Sequence, residues 1–272
     1  MHLSALLDFD VVPLDTDDAV SVLLDATAPE REKDADRPLA KSAQAVSLRV
    51  PSGPHVRGVE VIGEVPSSAL PDGSLMVELG DLYSGESRRL LLRVEVPGVS
   101  TLGAVTVTTV EATYVDPATL TTYTTTLPVT VNVVPGDEAA GRAPRPDVRT
   151  EEALQRAQTA KRRASEALRR GDREAAAEIL DEARRNLPEP PAGSARHPDP
   201  QVDEQADELG RMARRARRDD ASRTSKELYA SQSGYSRRRE HGLRKKQREE
   251  EIRGQETGRD QSFPDQEPPN AS

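Results

Sequence analysis

From Leu3 to Val134 the apolar residues recur at every second position and show no helical period, and this pattern limits the fold more than any other feature. Leu7, Phe9 and Val11 alternate with Asp8 and Asp10. Val20, Val22 and Leu24 alternate with Ser21 and Leu23, and Val46, Leu48 and Val50 with Ser47 and Arg49. Val59 and Val61, Leu75, Val77 and Leu79, and Leu90, Leu92, Val94 and Val96 continue the series. Period two means strands with one buried and one wet face. With no helices to act as crossovers, the expected sheet is antiparallel. Turn residues fall between the runs at Pro51-Ser52-Gly53-Pro54, Pro71-Asp72-Gly73 and Ser84-Gly85-Glu86, which predicts a sandwich of about eight strands. In the Thr-rich run that ends at Val134, Asp116-Pro117-Ala118 marks a hairpin turn. The phase changes between Val105/Val107 and Val110/Ala112/Tyr114, which predicts a bulge near Thr108-Thr109 in a twisted edge strand.

The pattern changes after Val134. Residues 1–135 hold 19 acidic and 9 basic residues, whereas 136–272 hold 28 and 29, so charge density doubles while its sign nearly cancels. A Pro/Gly linker over 136–149 precedes Thr150, read as a helix N-cap. Ala153, Leu154, Ala157, Ala160, Ala164 and Leu168 then repeat at helical spacing. Gly171 ends that helix and Asp172 caps the next, which carries Ala176, Ile179, Leu180, Ala183 and Leu187 up to Pro188. Two mostly alanine stripes bury little area, so this hairpin needs a third surface: the sandwich, the helix around Leu209 and Met212, or a partner chain. Beyond a second linker, residues 201–253 read as a charged helical region. Residues 254–272 have the composition of a disordered tail.

Chemistry-bearing patterns are scarce. The chain has no Cys and no Trp, and its four His (His2, His55, His197, His241) are scattered. Thiolate metal sites, cysteine nucleophiles and aromatic base-stacking platforms are thereby disfavoured. There is no GxxxxGK[ST] loop, GxSxG elbow or HExxH helix. Asp17-Asp18 reads as solvated loop charge. Arg237-Arg238-Arg239 and Lys245-Lys246 could meet phosphate, but Glu249, Glu250 and Glu251 follow, which favours a solvated helical face and disfavours nucleic acid as partner. No run approaches the ~20 apolar residues of a membrane helix. The opening MHLSALLDFDVV lacks a basic region and carries Asp8 and Asp10 inside its apolar stretch, so a cytoplasmic location is expected.

The segment Val77-Glu78-Leu79-Gly80-Asp81-Leu82-Tyr83-Ser84-Gly85-Glu86, followed by LLLRVEVP, resembles the region after the von Willebrand factor type A domain in bacterial proteins labelled calcium-activated chloride-channel-like. The opening LDFDVVPLDTDDAVSVLLDATAPE, the hairpin at Tyr114-Val115-Asp116 and the charged helices after Pro146 are similar too. That resemblance implies that strands from 1–37 and 44–134 form one sandwich, with the A domain of full-length relatives inserted near 38–43. Here Leu39 runs directly into Ala40-Lys41-Ser42-Ala43, and the metal-binding D-x-S-x-S is missing. Its nearest match, Asp220-Ala221-Ser222-Arg223-Thr224, follows an Arg-rich helix rather than a buried strand.

The expectation is therefore an α+β chain: an antiparallel β-sandwich over 1–135, a helical hairpin over 150–187 after the 136–149 linker, then the 188–200 linker and a charged, partly disordered helical tail. It is read as a non-enzymatic protein-interaction or scaffold module without an A domain, with no catalytic, cofactor or metal residues and no cofactor. The alternative is a nucleic-acid-associated protein acting through its basic tail. Protein partners are expected, and the oligomeric state is left open.

Overall fold

The computed structural model describes residues 1–31, 41–189, 197 and 199–231. Ten strands come first: β1 (His2–Leu7), β2 (Val11–Pro13), β3 (Asp18–Thr27), β4 (Lys41–Val50), β5 (Gly58–Ile62), β6 (Ser67–Ala69), β7 (Leu75–Tyr83), β8 (Ser87–Val96), β9 (Gly103–Asp116) and β10 (Thr121–Val134). Four helices follow: α1 (Gly136–Ala140), α2 (Pro146–Arg169), α3 (Arg173–Arg185) and α4 (Pro200–Arg218). Residues 221–231 are also helical. The strands form a four-stranded sheet, β1-β3-β8-β5, and a six-stranded sheet, β2-β10-β9-β4-β7-β6. Their inner faces share one core in which Val22, Leu24 and Leu92 meet Leu48, Val77 and Val110.

The expected α+β order of a sandwich followed by helices is what the chain adopts, with differences in detail: ten strands form rather than about eight, because the three-residue β2 and β6 are too short to show a period, and α1 lies inside the expected 136–149 linker. Among the described strands one pair is parallel: Val11–Pro13 of β2 runs alongside Asn132–Val134 of β10, and Leu14 just after it bridges Val99 in the same sense. The chain passes from one sheet to the other after β1, so a three-residue parallel neighbour arises without any crossover helix. The phase break is a bulge, placed by the register at Val107 between the pairs Thr106↔Thr130 and Thr108↔Val129. It lies in an internal strand, since β9 is flanked by β10 and β4, and not in an edge strand.

The motif behind the family resemblance shapes an irregular stretch inside β7 and the turn after it. Gly80 has φ +76°, and Asp81 beside it accepts from the Ala45 amide at 3.0 Å and from Lys41 Nζ at 2.8 Å, holding an irregular stretch of β4 against β7. Gly85, φ +67°, completes the β7–β8 turn, where Glu86 accepts from the Tyr83 amide at 3.0 Å and pairs with Arg88 at 3.2 Å. Both glycines occupy the left-handed region that costs a β-carbon strain.

Helices attach where the four-stranded sheet is apolar on both faces. Leu23, Leu91 and Ile62 lie side by side across β3, β8 and β5 on the outer face, and Val148 of α2 covers them. Sequence patterning placed the start of this helix at Thr150, but α2 begins at Pro146, inside the expected linker. Proline at the first helical position has its φ preset and needs no donor there. The Arg145 amide just before it donates to the Asp8 carbonyl at 2.8 Å, so the sandwich sets the helix entry. Farther along, α2, α3, α4 and the 221–231 segment bury Leu154, Ala164, Leu180, Leu209, Ala213 and Leu228 together. The alanine-rich hairpin thus has two further surfaces, the sandwich at Val148 and α4 at Leu209.

Because one apolar patch couples the two layers, its loss should separate them. Leu91→Ala should cost about 2–5 kcal/mol, as for other buried leucines. Val148→Asp should split a single calorimetric transition into separate sandwich and helix transitions. An unshifted single transition in Val148→Asp would rule out this coupling.

Candidate functional site

Among the described residues, the β9–β10 hairpin carries the longest unpaired strand edge of the sandwich. Its turn is closed by Asp116, whose Oδ1 accepts from the Ala118 amide at 2.7 Å and whose carbonyl accepts from Leu120 at 2.8 Å. From Thr121 onward β10 pairs with β9 on one side. On the other side, among the described residues, β2 reaches only Asn132–Val134. The Asn132 amide donates toward β2, to the Asp10 carbonyl at 2.8 Å. Alternation along a strand then turns the amides and carbonyls of Thr122, Thr124 and Thr126 to the same, open side. Pro128 has this parity as well, so its missing N–H falls on the open edge and costs the β9 ladder nothing. Residues 117–136 contain no charged side chain, in a chain that is 31% charged. Leu120 is 78% exposed and Tyr123, stacked on Tyr114 at 5.6 Å, is 43% exposed.

A second polar constellation is buried in the helices. Lys161, fully buried, donates to Gln205 Oε1 at 2.9 Å, Glu208 Oε2 at 2.5 Å and Ser231 Oγ at 3.2 Å. Ser231 Oγ also donates to Glu208 Oε1 at 2.5 Å, and Gln158 Nε2 donates to Gln205 Oε1 at 3.0 Å. Three acceptors for one amine match the three donors of an ammonium. Nearby, Ser165 and Ser225 hydroxyls lie 2.8 Å apart. Helical spacing assembles the set: Gln158 and Lys161 are three apart on α2, as are Gln205 and Glu208 on α4. Since Lys161 is sealed from solvent, no substrate reaches it without opening the bundle, and the arrangement ties α2 to α4 and to 221–231. Sequence reading missed it, although the signal was present: Lys161 falls between Ala157 and Ala164 on the buried stripe.

A third cluster sits under the start of α2. Asp8 is 8% exposed, and its Oδ1 accepts from the Ser21 amide at 2.7 Å and the Phe9 amide at 2.8 Å. Burial pushes its carboxyl above the usual carboxylate value; the two amides oppose this and the nearby Glu152 adds to it. Glu152 accepts from Ser21 Oγ at 3.2 Å.

The residues singled out in the sequence are placed as follows. Asp17 is an exposed loop charge, paired at the surface with Arg57 at 2.5 Å, whereas Asp18 is not: it begins β3 and takes both guanidinium nitrogens of Arg142, at 2.5 and 3.0 Å. Arg142 also lies 4.3 Å from the Phe9 ring centroid, pinning the α1–α2 connection to the sandwich. Asp220 accepts from the Arg223 amide at 2.8 Å, and its carbonyl accepts from Thr224 Oγ1 at 2.9 Å, as a helix start does. His197 accepts from the Asp199 amide at 3.0 Å ahead of α4. Arg237–Arg239, His241, Lys245, Lys246, Glu249–Glu251, the 254–272 tail and residues 38–40 of the insertion point near 38–43 lie outside the described residues, while 41–43 open β4. No helix among the described residues is long and apolar enough to cross a membrane.

No family model matches the chain, and no curated protein matches it. Solved structures similar to it include the ArnB paralog VWA2 of Sulfolobus acidocaldarius, at 14% identity and TM-score 0.41 over 71% of this chain and 42% of that one. A von Willebrand factor type A structure from Catenulispora acidiphila matches at 14% identity and TM-score 0.42, over 65% and 39%. BcpA, the major pilin subunit of Bacillus cereus, matches at 10% identity and TM-score 0.34, over 49% and 40%. The chain spans about two fifths of the length of each.

Two outcomes follow from the buried groups. Lys161→Met takes the cation from Glu208 and leaves its carboxylate to neutral donors, Ser231 Oγ and Gln205 Nε2, which should cost about 3–5 kcal/mol, with amide exchange rising first in 221–231; unchanged stability would show that the network is not a lock. Asp8, with its folded value raised, retains its proton to higher pH than the unfolded chain does. Its contribution is therefore fully present below the ordinary carboxylate value and is lost as pH rises through the folded one. Asp8→Asn keeps the Oδ1 acceptor for both amides, so it should raise Tm at pH 7, with the gain shrinking as the pH falls toward 4. A lower Tm at pH 7 would contradict this.

Proposed function

We propose that the chain is a non-enzymatic protein-interaction module, a sandwich platform with helices fixed to its outer face. The observation that carries this reading is the charge-free open edge of β10, which offers backbone donors and acceptors beside exposed Leu120 and Tyr123. Strand addition to such an edge is a recurrent mode of protein recognition. The polar clusters support the reading from the other side. Lys161, Glu208, Asp8 and Asp18 are engaged in holding elements together, at the bundle centre and at its joint with the sandwich. In the family the sequence resembles, this platform flanks an A domain, and we infer that the present chain is the platform with that domain missing near 38–43. A cytoplasmic location belongs to the same proposal.

The test is a photo-crosslinking side chain at Thr122, on the open edge, with exposed Glu60 of β5 as control. Thr122 should yield protein adducts and Glu60 should not. Nuclease-sensitive adducts, or binding to a nucleic-acid duplex that falls steeply with salt, would transfer the assignment to the basic tail. No adduct at Thr122 would overturn the reading.

A further inference from the structure

We infer that the open edge of β10 pairs with the same edge of a second copy of this chain, antiparallel about a twofold axis at Thr124. The inference rests on the reading of that edge as an interaction surface and names its occupant. Two boundaries define the usable edge. Leu120, at φ +55°, closes the hairpin turn, and Pro128 has no N–H to offer. The stretch between them is 121–127, and its midpoint is Thr124.

That midpoint has the parity a symmetric pair requires. The amide and carbonyl of Thr124 face the open side, by alternation from the Asn132 amide that bonds Asp10. Two copies related by a twofold axis therefore exchange both bonds at Thr124, while Thr122 of each meets Thr126 of the other. An axis at Thr126 would set Thr124 against Pro128 and lose a donor on each side. An axis at Thr122 would run the pairing into the turn. The Thr124 register also sets exposed Leu120 against Pro128 of the second copy and Tyr123 against Thr125. No charge lies along 117–136 to face its own image across the axis, which makes the edge self-compatible in a way a charged edge is not. The strand is already held straight, because β9 behind it is paired in turn with β4 over Glu111–Val115.

The test uses the full chain in sedimentation and hydrogen exchange over a concentration series. Wild type should show a reversible monomer–dimer equilibrium that strengthens with salt, since each copy carries a net charge of −9. Exchange at the Thr122, Thr124 and Thr126 amides should slow as concentration rises, while Tyr123 and Thr125, bonded to β9, stay protected throughout. Thr124→Pro should weaken the dimer at least tenfold, and its circular dichroism should match wild type because that N–H bonds nothing in the monomer. The pair Thr122→Lys and Thr126→Lys, on the solvent face, should do the same by setting like charges opposite each other, and it gives the answer if the proline variant fails to fold. The chain has no cysteine, so a spin label at Thr124→Cys reports the axis uniquely, through strong dipolar broadening from backbones about 5.5 Å apart. A monomer at every concentration, or a dimer indifferent to both variants, overturns self-pairing. If a different protein is captured at Thr122 and lost in the same variants while the chain alone stays monomeric, self-pairing fails and the interaction reading stands.

Discussion

Burial of both faces of the β3–β8 pair is the constraint on which the rest of the molecule depends. An ordinary sandwich strand has one apolar face, and the inner positions Val20, Val22, Leu24, Leu90, Leu92 and Val94 supply it. Leu23 and Leu91 add a second apolar face, aligned by register with Ile62, and leaving that row in water would expose three large side chains side by side. Val148 ends that exposure by seating α2. Once α2 is seated, its far end sets the position of α3 and α4, so the helical layer inherits its orientation from one row on the sheet. The Arg142 fork to Asp18 and the Arg145 amide on Asp8 fix the angle of entry with polar groups that leave little slack.

Within the helical layer the problem is different. Alanine stripes such as Ala157, Ala164, Ala213 and Ala216 pack closely but nearly equally well after a shift of one turn, because small side chains supply little shape to interlock. Directional bonds remove that degeneracy. Lys161 reaches Gln205, Glu208 and Ser231 from one position only, and a slip of α4 by a turn would leave a buried cation without its carboxylate, a cost several times that of a lost methyl contact. The polar core thus supplies the register that the apolar core lacks.

This division explains what was legible in the sequence. Strand existence, the hairpin turn at Asp116 and the Asp172 cap could be read because each is a local signal: period two, an Asp-Pro turn, an oxygen before an amide. The bulge was visible to within a residue or two of Val107, since a phase break is local also. Its internal position was not, because which strand lies beyond β9 depends on β4, more than sixty residues earlier. The parallel β2 and the Pro146 start of α2 were missed for the same reason, since both are set by contacts between residues 8–13 and 132–145. The unbroken runs Val22-Leu23-Leu24 and Leu90-Leu91-Leu92 did carry the signal for a strand buried on both faces. So did Lys161 on the buried stripe, but its partners on α4 and at Ser231 lie more than forty residues away.

The edges of the two sheets complete the physical picture. Natural sheets blunt open edges with charge, short strands or proline. Here β2 and β6 are three residues long, β5 carries Glu60, and β1 has six residues. β10 is fourteen residues long, and among the described residues its one such device is Pro128, placed at the parity where it blocks the open side while leaving the β9 ladder intact. That placement confines pairing and does not prevent it: β2 takes the edge from Asn132 on, only Thr130 lies between it and Pro128 on that side, and among the described residues the edge before Pro128 stays open for one short strand. Thr–Thr contacts between β9 and β10 at 3.2 and 3.3 Å stiffen the outer face of the hairpin, so the open stretch is ordered before anything binds. A preformed edge loses little conformational freedom on pairing, and a limit of seven residues between turn and proline makes the length of whatever pairs there a property of this chain rather than of its partner.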